Sequence, residues 1–173
     1  MLYLSYCGSC GVDAYVELVK KAMDCGKTLV LDCTDVEAAK AALAVCKDAK
    51  PVLDGADASN YEAMNAVATE AGVVLGVRGA DINELYDTTA ALEKLGNKNL
   101  VLNVGTASVK DAFATTVQIR RAALKDQNRT FGYPSIVNVG ALAAGDPTMQ
   151  AALVSLFTVK YGSIIVMESM DYA

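Results

Sequence analysis

The sequence predicts an α/β fold, a (β/α)8 TIM-type barrel in which seven strands are present and the last unit is missing. Three observations lead there. Short runs rich in Val, Ile and Leu alternate with longer segments of helical spacing, and the runs recur every ~22–35 residues, about the size of one β-α unit. The runs are apolar almost throughout, which is how parallel strands covered on both faces read. No glycine-rich phosphate turn follows any of them: GxGxxG is absent, and Gly26-Lys27-Thr28 lacks the upstream glycine of a P-loop. That removes the usual mark of the open doubly wound alternative.

The elements follow in order. Leu2 to Tyr6 reads as the first strand, and a first helix ends near Cys25. Thr28 to Leu31 is the second strand. Thr34 is placed to cap a helix over Asp35 to Cys46, with Glu37 completing a capping box. Pro51 to Leu53 is the third strand, and its helix, Asn60 to Ala71, is closed by Gly72. Val73 to Val77 is the fourth. Asp81 and Glu84 cap Ile82 to Leu95, and Gly96 stands where a left-handed C-cap is wanted. Leu100 to Leu102 is the fifth strand, and Ser108 opens a long helix through Lys125. Gly132-Tyr133-Pro134 forms a turn that aims the sixth strand, Ser135 to Val139; proline is tolerated at a strand's first position. Asp146-Pro147 is an N-cap followed by proline at the first helical position, and that helix runs to about Tyr161 and stops at Gly162. Ser163 to Met167 is the seventh strand. The sequence then stops at Ser169-Met170-Asp171-Tyr172-Ala173 with no covering helix. The expectation is therefore a fragment of a longer subunit, with an edge at Ser163 to Met167 that favours self-association unless something pairs with it.

Composition narrows the classes. With 173 residues, 53% apolar and 20% charged, the chain can bury one core, so residues 1–173 read as a single barrel domain. A net charge of -5 and no long basic run argue against nucleic acid, whose affinity rests on phosphate neutralisation. There is no histidine. Ser-His-Asp and Cys-His catalysis, HExxH zinc sites and a proximal haem histidine are excluded together, and acid-base work falls to Asp, Glu, Lys, Tyr or Cys. No apolar run approaches the ~18 residues of a membrane span. The N-terminus lacks the basic and apolar regions of a signal peptide. The five cysteines, Cys7, Cys10, Cys25, Cys33 and Cys46, are odd in number and confined to the first third of the chain. They read as reduced thiols of a cytoplasmic protein.

Polar residues at the C-terminal ends of the strands form a candidate binding ring: Asp32, Asp54, Arg78, Asn103, Asn138 and Glu168. β/α barrels build their sites at that end, and such a set could hydrogen-bond a polar heterocycle such as a pterin. Strand ends are also polar wherever a chain turns into solvent, so the ring has a plain structural reading as well. Cys7-Gly8-Ser9-Cys10 is a CxxC, open to metal, iron-sulfur or redox readings and equally to that of small semi-buried thiols. Cys25, Cys33 and Cys46 fall at opposite ends of a β-α layer and are not expected to join it. Arg120, Arg121 and Lys125 complement the dipole at a helix C-terminus and could grip an acidic partner or a phosphate.

The stretch Gln118-Ile119-Arg120-Arg121-Ala122-Ala123-Leu124-Lys125, then Arg129, then Gly132-Tyr133-Pro134 and an apolar strand, resembles the barrel domain of the large (gamma) subunit of the corrinoid/iron-sulfur protein, a component of the acetyl-CoA decarbonylase/synthase complex. Asn60-Tyr61-Glu62-Ala63-Met64, Leu100-Val101-Leu102 with Gly105-Thr106, and Lys160-Tyr161-Gly162-Ser163-Ile164-Ile165-Val166 agree in order and spacing. The resemblance implies a carrier that accepts a methyl group from a methyltransferase using methyl-tetrahydrofolate or methyl-tetrahydropterin and passes it to acetyl-CoA synthase. It implies a small (delta) subunit as partner, and [4Fe-4S] and corrinoid (cobalamin) modules flanking the barrel in the full-length protein. This chain alone is expected to bind neither group and to be non-catalytic. The family usually has an acid and a proline where this chain has Asn103 and Val104, and it ends the third strand differently from Asp54. The alternatives are a free-standing pterin-binding methyltransferase-type barrel enzyme, in which Asp32, Asp54, Asn103 and Asn138 hold the pterin, and a structural remnant without ligand.

Overall fold

The computed structural model describes residues 1–105 and 108–169; Thr106 of the resemblance and Met170 to Ala173 of the chain end lie outside the described residues. Strands and helices alternate as β1 (Leu2–Ser5), α1 (Gly11–Met23), β2 (Leu29–Asp32), α2 (Val36–Cys46), β3 (Val52–Ala56), α3 (Tyr61–Ala71), β4 (Val74–Val77), α4 (Ile82–Lys94), β5 (Leu100–Asn103), α5 (Val109–Leu124), β6 (Ser135–Asn138), α6 (Val139–Ala143), α7 (Pro147–Lys160) and β7 (Ile164–Val166), with single 3-10 turns at Lys47–Ala49 and Arg129–Phe131. The strand order is the chain order, β1 to β7. The chain divides into two compact units. One holds Met1–Arg78 and Asp87–Leu100; the other holds Gly79–Tyr86 and the chain from Val101 onward.

In the first unit β1 to β4 pair in parallel with their chain neighbours, and Leu4, Leu31, Leu53 and Leu75 fall in one cross-strand row. Leu31, Leu53 and Leu75 are wholly buried, each contributing roughly 1.5–3 kcal/mol of burial. Continuous burial across β2 and β3 is why these runs show no polar alternation. Helix α2 meets its neighbours through the buried Ala38, Ala39 and Ala42, small residues that let a helix lie close. Its N-cap is Asp35, whose carboxylate accepts from the Glu37 and Ala38 amides, rather than the expected Thr34. Both are good caps by type; Asp35 holds the extended backbone (φ -83°, ψ 119°) that an N-cap needs. The helix ends behave as read elsewhere. Asp81 accepts from the Asn83 and Glu84 amides. Gly96, at φ +88°, gives its N–H to Glu93 while Asn97 gives its own to Leu92, a Schellman closure.

Strand β3 runs past its expected end at Leu53, so Asp54 is an interior strand residue and not a terminal one. The cause is Gly55. Its φ of +136° is open to glycine, and a Cβ there would lie 2.2 Å from the Cys33 carbonyl oxygen. The strand shifts register between Asp54 and Ala56 and keeps pairing. Asn60 then ties the following loop down, donating to the carbonyls of Thr34 and Gly55.

In the second unit Leu102 pairs with Ser135, and Ile136, Val137 and Asn138 with Ile164, Ile165 and Val166. Its core gathers Ile119, Phe131, Ile136, Val137, Leu153 and Phe157. Helix α6 departs from the expected pattern: Val139, read as a strand end, begins a helix capped by the Asn138 side chain, which accepts from the Ala141 amide. Asp146 caps α7 as expected, accepting from Thr148 and Met149. Helix α7 buries Leu153 and Phe157 yet leaves Met149, Leu156 and Val159 exposed, so its apolar residues are not confined to the buried face. Among the described residues no helix is long and apolar enough to cross a membrane.

Candidate functional site

Parallel pairing sets Ser5 beside Asp32, Asp32 beside Asp54, and Asp54 beside Gly76. Registered neighbours share a face of the sheet, so this row puts two carboxylates side by side, an arrangement that costs energy unless a cation joins it. Arg78, two residues beyond Gly76 and just past β4, supplies the cation. Its Nη2 donates to Asp32 Oδ1 at 2.6 Å and to Asp54 Oδ2 at 3.2 Å. Ser5 Oγ donates to Asp32 Oδ2 at 2.9 Å, and the Tyr3 hydroxyl approaches Asp54 Oδ2 at 3.4 Å, a weak bond at that length. Gly76 makes the cluster possible: a Cβ there would meet Asp54 Oδ1 at 2.5 Å.

The electrostatics follow from burial. The Asp54 side chain is fully buried, while Asp32 and Arg78 keep part of their surface. Burial opposes the guanidinium charge, but Asp54 and Asp32 outweigh it and hold Arg78 protonated above its ordinary range. Burial, with Asp54 and then Asp32 adding repulsion, pushes the Tyr3 phenol well above the usual tyrosine range, so it stays neutral. Arg78 Nε is buried and makes no hydrogen bond among the described residues. Chemically the cluster offers a partly open edge, Asp32 as acceptor with Arg78 and Ser5 as donors, over a closed interior at Asp54.

Of the six ring residues expected from sequence, Asp32, Asp54 and Arg78 are therefore brought together in the first unit. The other three lie in the second unit and have local duties. Asn103 Oδ1 accepts from the Gly105 amide in the turn after β5, Asn138 caps α6, and the exposed Glu168 gives its backbone N–H to Gln150 Oε1. Sequence reasoning missed Tyr3, Ser5 and Gly76. The signal was present in the alternation of β1, which puts Tyr3 and Ser5 on one face.

Cys7 and Cys10 are exposed in the turn between β1 and α1, and both sulfurs contact one hydroxyl: Cys7 Sγ to Ser9 Oγ at 2.8 Å and Ser9 Oγ to Cys10 Sγ at 3.6 Å. Cys25 lies beyond the far end of the thirteen-residue α1, about 20 Å away at 1.5 Å per residue, and Cys33 and Cys46 are buried. Four thiolates thus do not converge, and the cysteines do not fit a [4Fe-4S] cluster. Among the described residues no three Cys, Asp or Glu side chains gather to hold a metal.

Arg120 of α5 faces a cleft of about 330 Å³ lined also by Tyr133, Lys160 and Tyr161, among others, and among the described residues by no carboxylate. Arg120 Nη1 donates to the Lys160 carbonyl, and Lys160 Nζ stands 5.5 Å from the Tyr161 ring. The three segments 118–125, 132–134 and 160–163, distant in sequence, meet at this one cleft.

A family described as "CO dehydrogenase/acetyl-CoA synthase delta subunit" matches residues 7–173. The chain is 39% identical to the corrinoid/iron-sulfur protein large subunit of Moorella thermoacetica over 82% of its own length and 31% of that protein. It is 31% identical to the acetyl-CoA decarbonylase/synthase complex subunit gamma of Archaeoglobus fulgidus, over 95% of its length and 37% of that protein. The chain thus spans about a third of the length of these curated relatives. Among solved structures, dihydropteroate synthase from Thermus thermophilus in complex with 6HMPPP has a TM-score of 0.69 at 16% identity, covering 96% of this chain and 76% of that one. Dihydropteroate synthase from Vibrio fischeri has a TM-score of 0.59 at 13% identity, covering 96% and 86%. At such identities the likeness shows the fold alone, that of a β/α barrel.

Proposed function

The chain belongs to the CO dehydrogenase/acetyl-CoA synthase delta subunit family, and from that membership we propose that it is the barrel module of a corrinoid/iron-sulfur methyl carrier. In this reading the carrier takes a methyl group from a methyl-tetrahydrofolate or methyl-tetrahydropterin methyltransferase and delivers it to acetyl-CoA synthase. The corrinoid that the relatives' name records would carry the methyl group on its cobalt. This chain has no histidine to offer cobalt and no four-thiolate site for a cluster, so its own work is to position partners: the small (delta) subunit, the methyltransferase and the synthase.

The observation that carries the proposal is the cleft at the ends of α5 and α7. Three of the segments that resemble the family in sequence, 118–125, 132–134 and 160–163, converge there, and among the described residues they line it with two cations, two tyrosines and no acid. Such a surface suits an acidic, partly apolar protein edge. The test is association with the separately purified small subunit and methyltransferase, measured by sedimentation velocity. The chain should associate with at least one, and Arg120→Glu with Lys160→Glu should weaken that association at least tenfold while leaving thermal stability intact. Association with neither overturns the proposal.

One observation favours a second reading, a barrel that binds a pterin. The partly open Asp32 carboxylate lies beside the Arg78 guanidinium, whose side chain also keeps part of its surface, an acceptor-donor edge of the kind a pterin presents in complement. Calorimetric titration of the chain with methyl-tetrahydrofolate decides it: binding that Asp32→Ala abolishes supports a pterin site, and no heat at millimolar ligand rejects it.

A further inference from the structure

We propose that Cys7 and Cys10 form a reversible dithiol-disulfide site that exchanges two electrons with low-molecular-weight disulfides. The turn after β1 brings the pair together. Glycines at φ +75° and +71°, Gly8 and Gly11, stand inside and just after it and let the chain double back. The two sulfurs lie 2.8 Å and 3.6 Å from one hydroxyl oxygen and so stand at most about 6.4 Å apart, close enough for side-chain rotation to bring them to bonding distance where the Cα atoms fall within the ~4.4–6.8 Å that a disulfide spans. Both sulfurs already contact the Ser9 hydroxyl. Cys10 is the N-cap residue of α1, yet its side chain makes no capping bond, so closing a disulfide removes nothing from the helix.

The chemistry at the two sulfurs is differentiated. The Ser9 hydroxyl hydrogen-bonds Cys7 and draws its thiol below the ordinary range, which makes Cys7 the attacking thiolate. Its thiolate attacks one sulfur of the external disulfide. A mixed disulfide forms on Cys7, and the first small thiolate leaves and takes a proton from water. The Cys10 thiol gives its proton to water, and its thiolate attacks Cys7 Sγ. The intramolecular disulfide forms and the second small thiolate leaves and is protonated. Two protein thiols are oxidised, one disulfide is reduced to two thiols, and two electrons move.

The remaining cysteines serve as internal controls. Cys25 is exposed, with a 3.9 Å contact from its sulfur to the Lys21 carbonyl. Burial pushes the Cys46 thiol up to about 11 and raises that of Cys33 as well. Reactivity should therefore be ordered by position: a disulfide at Cys7 and Cys10, at most an adduct at Cys25, and nothing at the buried pair.

The experiment equilibrates the reduced full chain, free of oxygen at pH 7.5, with glutathione redox buffers of graded ratio. Free thiols are then trapped with a maleimide, and intact mass and peptide maps are recorded. The expected product has lost two hydrogens, takes up two fewer maleimides and yields a Cys7–Cys10 linked peptide. Dithiothreitol reverses it. Cys25→Ser should leave this behaviour unchanged, and either Cys7→Ser or Cys10→Ser should abolish the linked peptide. The proposal is overturned if the wild-type chain accumulates only glutathione adducts shared among Cys7, Cys10 and Cys25. It is overturned equally if the pair is protected from maleimide by a bound metal as isolated.

Discussion

Replacing Arg78 by alanine removes the cation that joins Asp32 to Asp54. The two carboxylates are not equally exposed to the loss. Asp32 retains 18% of its side-chain surface, so water replaces the guanidinium there; Asp54 retains none. Breaking a buried pair by deleting one partner costs about 3–5 kcal/mol. The partial exposure of Arg78 itself, 29%, lets some water follow the truncated side chain, which puts the expected loss at about 3 kcal/mol, the low end of that range. For a chain of this size each kcal/mol lowers the melting temperature by about 2–4 °C, hence roughly 6–12 °C at pH 7. Thermal and urea unfolding followed by circular dichroism measure it. The pH dependence carries a sign. Without the guanidinium, burial favours the neutral Asp54 acid, so in the variant its folded pKa rises above the unfolded value near ~3.9. The stabilisation from the retained proton is full below that value and is lost as pH rises through the folded one. Arg78→Ala should therefore recover part of its deficit between pH 7 and pH 5. Asp54→Asn in the same background should recover at least ~1 kcal/mol through coupling. The reasoning fails if the variant is within about 1 kcal/mol of wild type at pH 7, or if neither acid nor Asp54→Asn relieves it.

Other expectations can be checked directly. Gly55→Ala should prevent accumulation of folded protein, because its Cβ meets a backbone carbonyl that cannot retreat; a normally folded variant would show that β3 is placed otherwise. Asp35→Ala should cost about 1 kcal/mol in urea unfolding and Thr34→Ala less than half as much; the reverse order would restore Thr34 as the cap of α2. The phenols of Tyr3 and Tyr15 are both raised, chiefly by burial, so their neutral forms add stability that is intact below the ordinary ~10 and falls away above it. Phenolate absorbance at pH 11 should count fewer than the eight tyrosines of the chain until urea is added. All eight ionising in the folded chain would contradict the burial of the cluster.

The fold was legible because burial on both faces writes itself into the sequence as unbroken apolar runs. Leu29-Val30-Leu31 and Leu100-Val101-Leu102 could hardly be anything else. Half of the site was legible for the same reason, since Asp32 and Arg78 stand where such runs give out. Asp54 reads as a strand end because the apolar run Pro51 to Leu53 stops before it; only a backbone angle reveals that Gly55 continues the strand instead of breaking it. Asn103 and Asn138 look like ligand residues by position, yet each serves the backbone beside it, and an amide that accepts from a turn or helix amide reads the same in sequence as one free for a ligand. The choice between Thr34 and Asp35 as cap likewise rests on ψ, which residue type does not fix. The convergence of 118–125, 132–134 and 160–163 on one cleft follows from the strand order, which places β6 beside β7.

The contact between Asp54 and the bare Cα of Gly76 constrains one position from another twenty-two residues away. A Cβ at 76 would meet not only Asp54 Oδ1 at 2.5 Å but also the Asp54 Cα at 2.9 Å, so shortening or neutralising residue 54 does not by itself admit a side chain at 76. Position 76 should therefore stay glycine even in chains that have lost the acid, while loss of the acid takes one of the two anchors of the arginine at 78 with it.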